Sequence, residues 1–119
     1  MNHEKIEERR AYRRVEVHDL KVINTYMGEN VGELVNLSFS GMLINGPEPF
    51  EPHRSYKFHI PLDRKTLGQD FFELEAECVW CRVNTGASIF RGGFLFRPES
   101  GDQIIVIDQI QSKFAKALN

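Results

Sequence analysis

The chain has 119 residues, a length that suits one compact domain and is too short for two. Charged residues make up 27% of it and the net charge is −2, which excludes a strongly basic protein that binds polyanions over its whole surface. No run reaches the roughly 18 apolar residues that span a bilayer, and the N-terminus lacks a secretory signal, so we expect a cytoplasmic protein.

Short apolar segments dominate the chain after a polar start. Residues 1–7 predict a flexible arm and residues 8–119 a single domain. Six segments rich in Val, Ile, Leu and Phe, each bounded by turn residues, predict β-strands at 15–24, 31–38, 41–47, 55–62, 71–83 and 90–98. Strands at this spacing predict an all-β fold, a six-stranded antiparallel β-barrel over about 15–97, because closure removes the exposed sheet edges.

The last twenty residues change to helical spacing. Ile104, Ile107, Ile110 and Phe114 recur every three to four residues, which predicts an amphipathic C-terminal helix over about 101–118. Ser100 with Gln103 has the form of a capping box at its start. We expect the apolar face of this helix to pack on the barrel, with an oligomer contact as the alternative.

Cys78 and Cys81 form a C-x-x-C pair inside the fifth predicted strand. Redox motifs of this form open a helix, and a zinc site needs two more ligands, which the four histidines do not offer at a suitable spacing. Residues three apart in a regular strand also point to opposite faces. We therefore predict two reduced, structural cysteines and no metal site.

Other side chains of the same strand also have structural interpretations. Glu73, Glu75 and Glu77 share one face by their spacing, which indicates a solvated surface rather than catalytic carboxylates. Trp80, with the phenylalanines of the last two strands, is expected to pack in the core or on the strand surface rather than to stack on a nucleobase. Neither a P-loop nor a nucleophile elbow is present, so no catalytic residue is predicted.

A cluster of arginines stands immediately before the first strand. In "ERRAYRRVEV", residues 8–17, Arg9, Arg10, Arg13 and Arg14 fall within six positions and no lysine accompanies them. Guanidinium groups bind phosphate oxygens and the O6 and N7 atoms of guanine through paired hydrogen bonds, which an ammonium group cannot do. This favours planar recognition of an anion over charge alone.

A second motif, "NLSFSG", follows at residues 36–41. Asn36 and Ser38 are two apart, so strand geometry places both side chains on one face, where an amide and a hydroxyl suit the edge of a purine. Gly41 is able to take a positive φ, as a tight turn that approaches a ligand closely would require.

The two motifs together resemble the bipartite signature of the PilZ domain family. Arg10 and Arg14 match its R-x-x-x-R, and Asn36, Ser38 and Gly41 match its D/N-x-S-x-x-G, in the right order and at the right separation. The resemblance implies a six-stranded barrel followed by a helix, and a receptor for the bacterial second messenger cyclic di-GMP.

The register of the first motif has two solutions. Arg9 and Arg13 also satisfy R-x-x-x-R, but the family motif ends just before the first strand, here Val15, which favours Arg10 and Arg14. The ligand contacts that the resemblance implies are Arg9, Arg10, Arg13, Arg14, Asn36, Ser38 and Gly41.

The same resemblance implies a signalling protein that needs no cofactor and changes its conformation or partner contacts on binding. Family members take one cyclic di-GMP or a stacked pair, and the additional arginine favours the pair. We expect residues 1–14, the arm together with the arginines that follow it, to close over the nucleotide. Two alternatives are a PilZ-like interaction module that does not bind nucleotide and a small-barrel nucleic-acid binder. The sequence indicates neither the downstream partner nor the oligomeric state.

Overall fold

The computed structural model describes residues 14–84, 86, 88–97 and 101–117, which contain seven strands and two helices. In chain order these are β1 Val15–Glu16, β2 Lys21–Asn24, β3 Glu29–Leu37, β4 Gly41–Gly46, β5 Ser55–Pro61, α1 Arg64–Leu67, β6 Phe71–Asn84, β7 Ile89–Phe96 and α2 Gly101–Ala117. The predicted "DRKTLGQD" connection therefore holds one helical turn, which Asp63 caps by accepting from the backbone N–H of Lys65.

The strands close into an antiparallel barrel. Around it the order is β3, β2, β5, β6, β7 and β4, and β4 pairs again with β3. The short β1 lies beside β2 on the same edge of β3, because Val15 pairs with Leu37 whereas Lys21 pairs with Glu33. β1 and β2 thus form two parts of one barrel strand, and the predicted six-stranded barrel with its C-terminal helix is confirmed.

The predicted strand 15–24 is interrupted, so the expectation of one continuous strand was wrong. Asp19 has φ 61°, in the left-handed region that breaks a strand. The buried positions show the same break, since the alternation shifts by one residue at this point: Val15 and Val17 before it, Leu20 and Val22 after it. Both halves keep their apolar side chains inside only because Asp19 absorbs the shift.

The inside of the barrel is filled with aliphatic and aromatic side chains. Alternate residues of four strands are buried there: Met42, Ile44, Phe58, Ile60, Phe72, Leu74, Ala76, Cys78, Phe94 and Phe96. The Phe94 ring meets those of Phe50, Tyr56 and Phe58 edge-on, at centroid distances of 5.1, 5.8 and 5.3 Å. With the interior occupied in this way, a nucleotide-sized ligand can only bind on the outer face or at the ends.

A β-bulge in β6 reverses the expectation for the two cysteines. Cys78 pairs with Phe94 and Cys81 with Gly92, while Val79 is the extra residue between them. Both cysteines therefore face inward, and the prediction of opposite faces was wrong. Burial raises the pKa of the Cys78 thiol to about 11, with the neighbouring Cys81 adding to the shift. Both are free thiols, and the described part of the chain has no group of three or more metal-ligating side chains.

α2 packs on the barrel through a face rotated from the predicted one. Ile107, Ile110 and Phe114 are buried as expected, but Ile104 is 41% exposed, so its place in the core was wrong. The docked face includes Val106 and the buried Gln111, whose Nε2 donates to the carbonyl oxygen of Leu37 at 2.8 Å. Ser100 of the expected capping box lies outside the described residues, and neither described helix has the length and apolarity to cross a membrane.

The docked face of α2 is tested by a pair of matched substitutions. Ile107→Ala is expected to lower the free energy of unfolding by about 2 to 5 kcal/mol, because Ile107 is fully buried and its loss leaves a cavity. Ile105→Ala, on the exposed side, should change it by less than about 0.5 kcal/mol. Urea unfolding of the two variants measures both values, and equal losses would contradict this orientation of the helix.

Candidate ligand-binding site

The two sequence motifs meet where β1 runs beside the end of β3. The β1–β3 pairing sets Glu16 opposite Asn36, and Arg14 stands two residues earlier, just outside β1. Arg14 Nη1 donates to Asn36 Oδ1 at 2.8 Å, joining residues 22 positions apart. Arg14 is exposed and forms no ion pair with a residue that the structure describes. Most of its five N–H donors therefore stay available to an anion.

Three of the four predicted arginines cannot be placed in the same way. Arg9, Arg10 and Arg13 lie outside the described residues, as does the predicted arm 1–7. Their contacts with a ligand, and the choice between the two registers, stay predictions.

Ser38 lies inside the turn that joins β3 to β4. Its Oγ accepts the backbone N–H groups of Ser40 and Gly41 at 3.3 and 3.1 Å and lies 3.2 Å from the Gly41 carbonyl oxygen. The backbone N–H of Ser38 also donates to that carbonyl oxygen. The side chain is fully buried, so it does not stand open beside the half-buried Asn36 as the spacing predicted. Its hydrogen bonds stabilise the turn, and its contact with a ligand stays a prediction.

Gly41 is required for a reason other than the expected one. Its φ is not in the left-handed region, so the expectation of a positive φ was wrong. A Cβ at this position would instead overlap the carbonyl oxygen of Phe94 in β7. The glycine therefore lets two backbones approach closely where the barrel closes beside the turn.

Asn36 belongs to a row of residues on the outer face of the barrel. Asn36 pairs with Leu43, Leu43 with Gly93, and Gly93 with Trp80. At about 4.8 Å between strands the row spans about 14 Å, a size that suits a dinucleotide. A Cβ on Gly93 would overlap the Trp80 ring, so the indole lies across the surface of this glycine. The row thus has an amide at one end and an aromatic ring at the other.

Trp80 is the side chain near this face that sequence reasoning set aside. Regular alternation from Phe72 to Cys78 assigns Trp80 to the inside of the barrel, but the bulge at Val79 turns it outward. Gly93, directly opposite, was the available signal, since a residue without a side chain beside a large ring indicates that the ring needs the space. Together the guanidinium of Arg14, the amide of Asn36 and the indole can bind a phosphate and a planar base.

Comparisons with known proteins identify the family and the fold of the chain. The sequence matches the family model described as PilZ domain over residues 8–112. No curated protein matched the chain. Among solved structures, the PilZ domain with c-di-GMP of YcgR from Escherichia coli is similar, with a TM-score of 0.70 and 12% identity over 92% of this chain and 94% of that chain.

Two longer proteins share the fold. The Bacillus subtilis inhibitor of motility (MotI/DgrA) has a TM-score of 0.68 and 16% identity over 93% of this chain and 52% of its own. The structure of YcgR in complex with c-di-GMP from Escherichia coli has a TM-score of 0.68 and 18% identity over 92% and 47%. The chain thus spans about half the length of these two proteins, and at such identities the likeness concerns the fold.

The structural role of Ser38 gives a prediction that needs no ligand. Ser38→Ala should lower the free energy of unfolding by about 1 to 3 kcal/mol, since the buried N–H of Gly41 and the partly buried N–H of Ser40 lose their acceptor. Ser55→Ala, at an exposed strand end, is the control and should change stability by less than about 0.5 kcal/mol. Denaturant unfolding without nucleotide measures both, and a Ser38→Ala variant as stable as the parent would contradict this role.

Proposed function

The chain belongs to the PilZ domain family, and from this premise we propose that it is a receptor for cyclic di-GMP. The observation that carries the proposal is the hydrogen bond between Arg14 and Asn36. It joins the two halves of the family signature at one point that solvent reaches, beside the outer face of the barrel. The c-di-GMP named with the YcgR structures supports the same ligand for this fold.

The chemistry of the ligand suits the side chains that meet there. Cyclic di-GMP carries two phosphates, each with one negative charge, and two guanines that offer O6 and N7 as acceptors. Arg14 supplies a fork of N–H donors that binds either group, and the Asn36 amide both donates and accepts along a guanine edge. Arg9, Arg10 and Arg13 are proposed to complete the clamp from the N-terminal side, around one nucleotide or a stacked pair.

Ligand binding at this site can affect the position of α2, because residues beside the site contact this helix. Asn36 is followed by Leu37, whose carbonyl oxygen accepts the hydrogen bond from Gln111 of α2. On the β1 side, the His18 ring meets the edge of the Phe114 ring at a centroid distance of 5.0 Å. A ligand that takes Arg14 away from Asn36 therefore acts directly beside Leu37, which holds the helix through Gln111. We infer that the signal leaves the domain as a change in the surface formed by the arm and α2.

The proposed activity is regulatory binding rather than catalysis, in the cytoplasm of a bacterium. The side chains brought together at the site are a guanidinium, an amide and an indole, which bind and orient a nucleotide. None of the three is suited to act as a general base at neutral pH. The output of such a domain is a change in what it contacts, not a product.

Calorimetric titration with cyclic di-GMP tests the proposal. The parent should bind, and Arg14→Ala should weaken binding about tenfold to a hundredfold, since one forked contact contributes about 1 to 3 kcal/mol. Arg13→Ala is expected to weaken it less, and Arg64→Ala, in the exposed α1, serves as the control. If the parent does not bind, the proposal is contradicted and the alternative of an interaction module that does not use the nucleotide is favoured. A larger loss of affinity from Arg13→Ala than from Arg14→Ala would assign the motif to Arg9 and Arg13.

Closure of the arm is tested by amide hydrogen exchange. Exchange in residues 1–14 should slow when the parent is saturated with cyclic di-GMP, because the arginines there bind the ligand and order the backbone. The α1 turn, residues 64–67, contains none of the proposed contacts, so its exchange provides the internal control and should not change. Identical exchange of residues 1–14 with and without nucleotide would contradict the closure.

A further inference from the structure

The outer face of β6 and β7 carries two arginines that the fold does not explain. Arg82 and Arg91 stand directly opposite each other in the ladder, and both are exposed. Neither forms an ion pair with a residue that the structure describes. Like charges directly opposite on antiparallel strands destabilise a sheet. The repulsion between the two guanidinium groups therefore lowers the free energy of unfolding. A bound anion would reduce this repulsion.

Both guanidinium groups are held in place by neighbouring side chains. Arg91 Nε donates to Asn45 Oδ1 at 2.9 Å, a contact that leaves the two terminal nitrogens of Arg91 for another partner. The Arg82 Cζ atom lies 5.0 Å from the centroid of the Trp80 ring, in a cation–π contact. Because these side chains are already oriented, less conformational entropy is lost when an anion binds.

A groove opens between these side chains. It has a volume of about 380 Å³ and is lined by Leu43, Asn45, Trp80, Arg82, Asn84 and Arg91, among others. Two guanidiniums suit phosphate oxygens, the indole and the guanidinium planes suit a base, and the amides suit its hydrogen-bonding edge. A nucleotide satisfies all three features, whereas an acidic peptide would use only the charges.

We propose that Arg82 and Arg91, together with Trp80, form a second nucleotide-phosphate subsite on the barrel. Trp80 ends the row that begins at Asn36, and Arg82 follows two residues on, about 7 Å further along the strand. This subsite extends the binding face away from Arg14 and rests on the function proposed above. Its ligand is a guanine nucleotide phosphate, which either the second half of one cyclic di-GMP or a second molecule supplies.

The experiment is a calorimetric titration of the full chain with cyclic di-GMP, comparing the parent with an Arg82→Gln/Arg91→Gln double variant. If a second molecule occupies the groove, the variant should bind one nucleotide per chain where the parent binds two. If the second half of the same molecule does, the variant should keep the stoichiometry of the parent and its affinity should fall at least tenfold. Either result supports the subsite and identifies the source of the phosphate.

Two controls separate the subsite from general charge and from misfolding. Arg54→Gln/Arg64→Gln removes the same charge from arginines that pair with Glu51 and Asp70, and it should bind like the parent. The melting temperature of the groove variant should equal or exceed that of the parent, since a repulsive pair is removed.

Failure of this inference is distinguishable from failure of the proposed function. If the parent binds, Arg14→Ala weakens that binding and the groove variant keeps both the affinity and the stoichiometry of the parent, the subsite alone is overturned. If the parent does not bind cyclic di-GMP at all, the proposed function is overturned and the subsite with it.

Discussion

Four elements of the fold converge on the turn between β3 and β4, residues 37–41, and the geometry of the candidate site depends on how tightly this turn is held. Leu37 pairs with β1 on one side and β4 on the other, and its carbonyl oxygen accepts a hydrogen bond from α2. Ser38 ties the turn from inside, and Gly41 lets β7 approach. Because these contacts are buried, the turn is a rigid support beside which Arg14 and Asn36 face solvent.

The signature residues of the family thus divide by physical role in this chain. Ser38 and Gly41 build the support, one through hydrogen bonds to its own turn and the other through a backbone approach that no side chain permits. Arg14 and Asn36 supply the groups that a ligand can contact. Among the signature residues that the structure describes, Ser38 and Gly41 therefore support the positions of Arg14 and Asn36. A domain can keep these supporting residues, and with them the fold, while its binding groups change.

A single extra residue in β6, Val79, determines which side chains lie on the outer face of the barrel beside β7. The bulge at Val79 brings Cys81 to the inside, on the same side as Cys78, and turns Trp80 outward, over Gly93 and next to Arg82. Without it, continued alternation would place the indole among the aromatic rings of the core and leave the outer row without a flat surface. Side chains such as Phe58 and Phe94 fill the interior, so a nucleotide-sized ligand can only bind on this outer face or at the ends of the barrel.

The sequence by itself determined the six strands of the barrel and the C-terminal helix, but neither the break in the first strand nor the short α1. Alternation and helical spacing are local properties that burial on one face enforces, whereas a break of one residue leaves the apolar pattern on both sides intact. It also identified both motifs. Tertiary structure decided the rest: the turn at Asp19, the bulge at Val79, the rotation of α2 and the burial of Ser38. Two of these features involve partners distant in sequence, since Gln111 of α2 donates to Leu37 and Trp80 beyond the bulge lies over Gly93. Such partners leave no periodic trace, since a hydrogen bond or a close backbone approach involves one residue on each side rather than a repeating face.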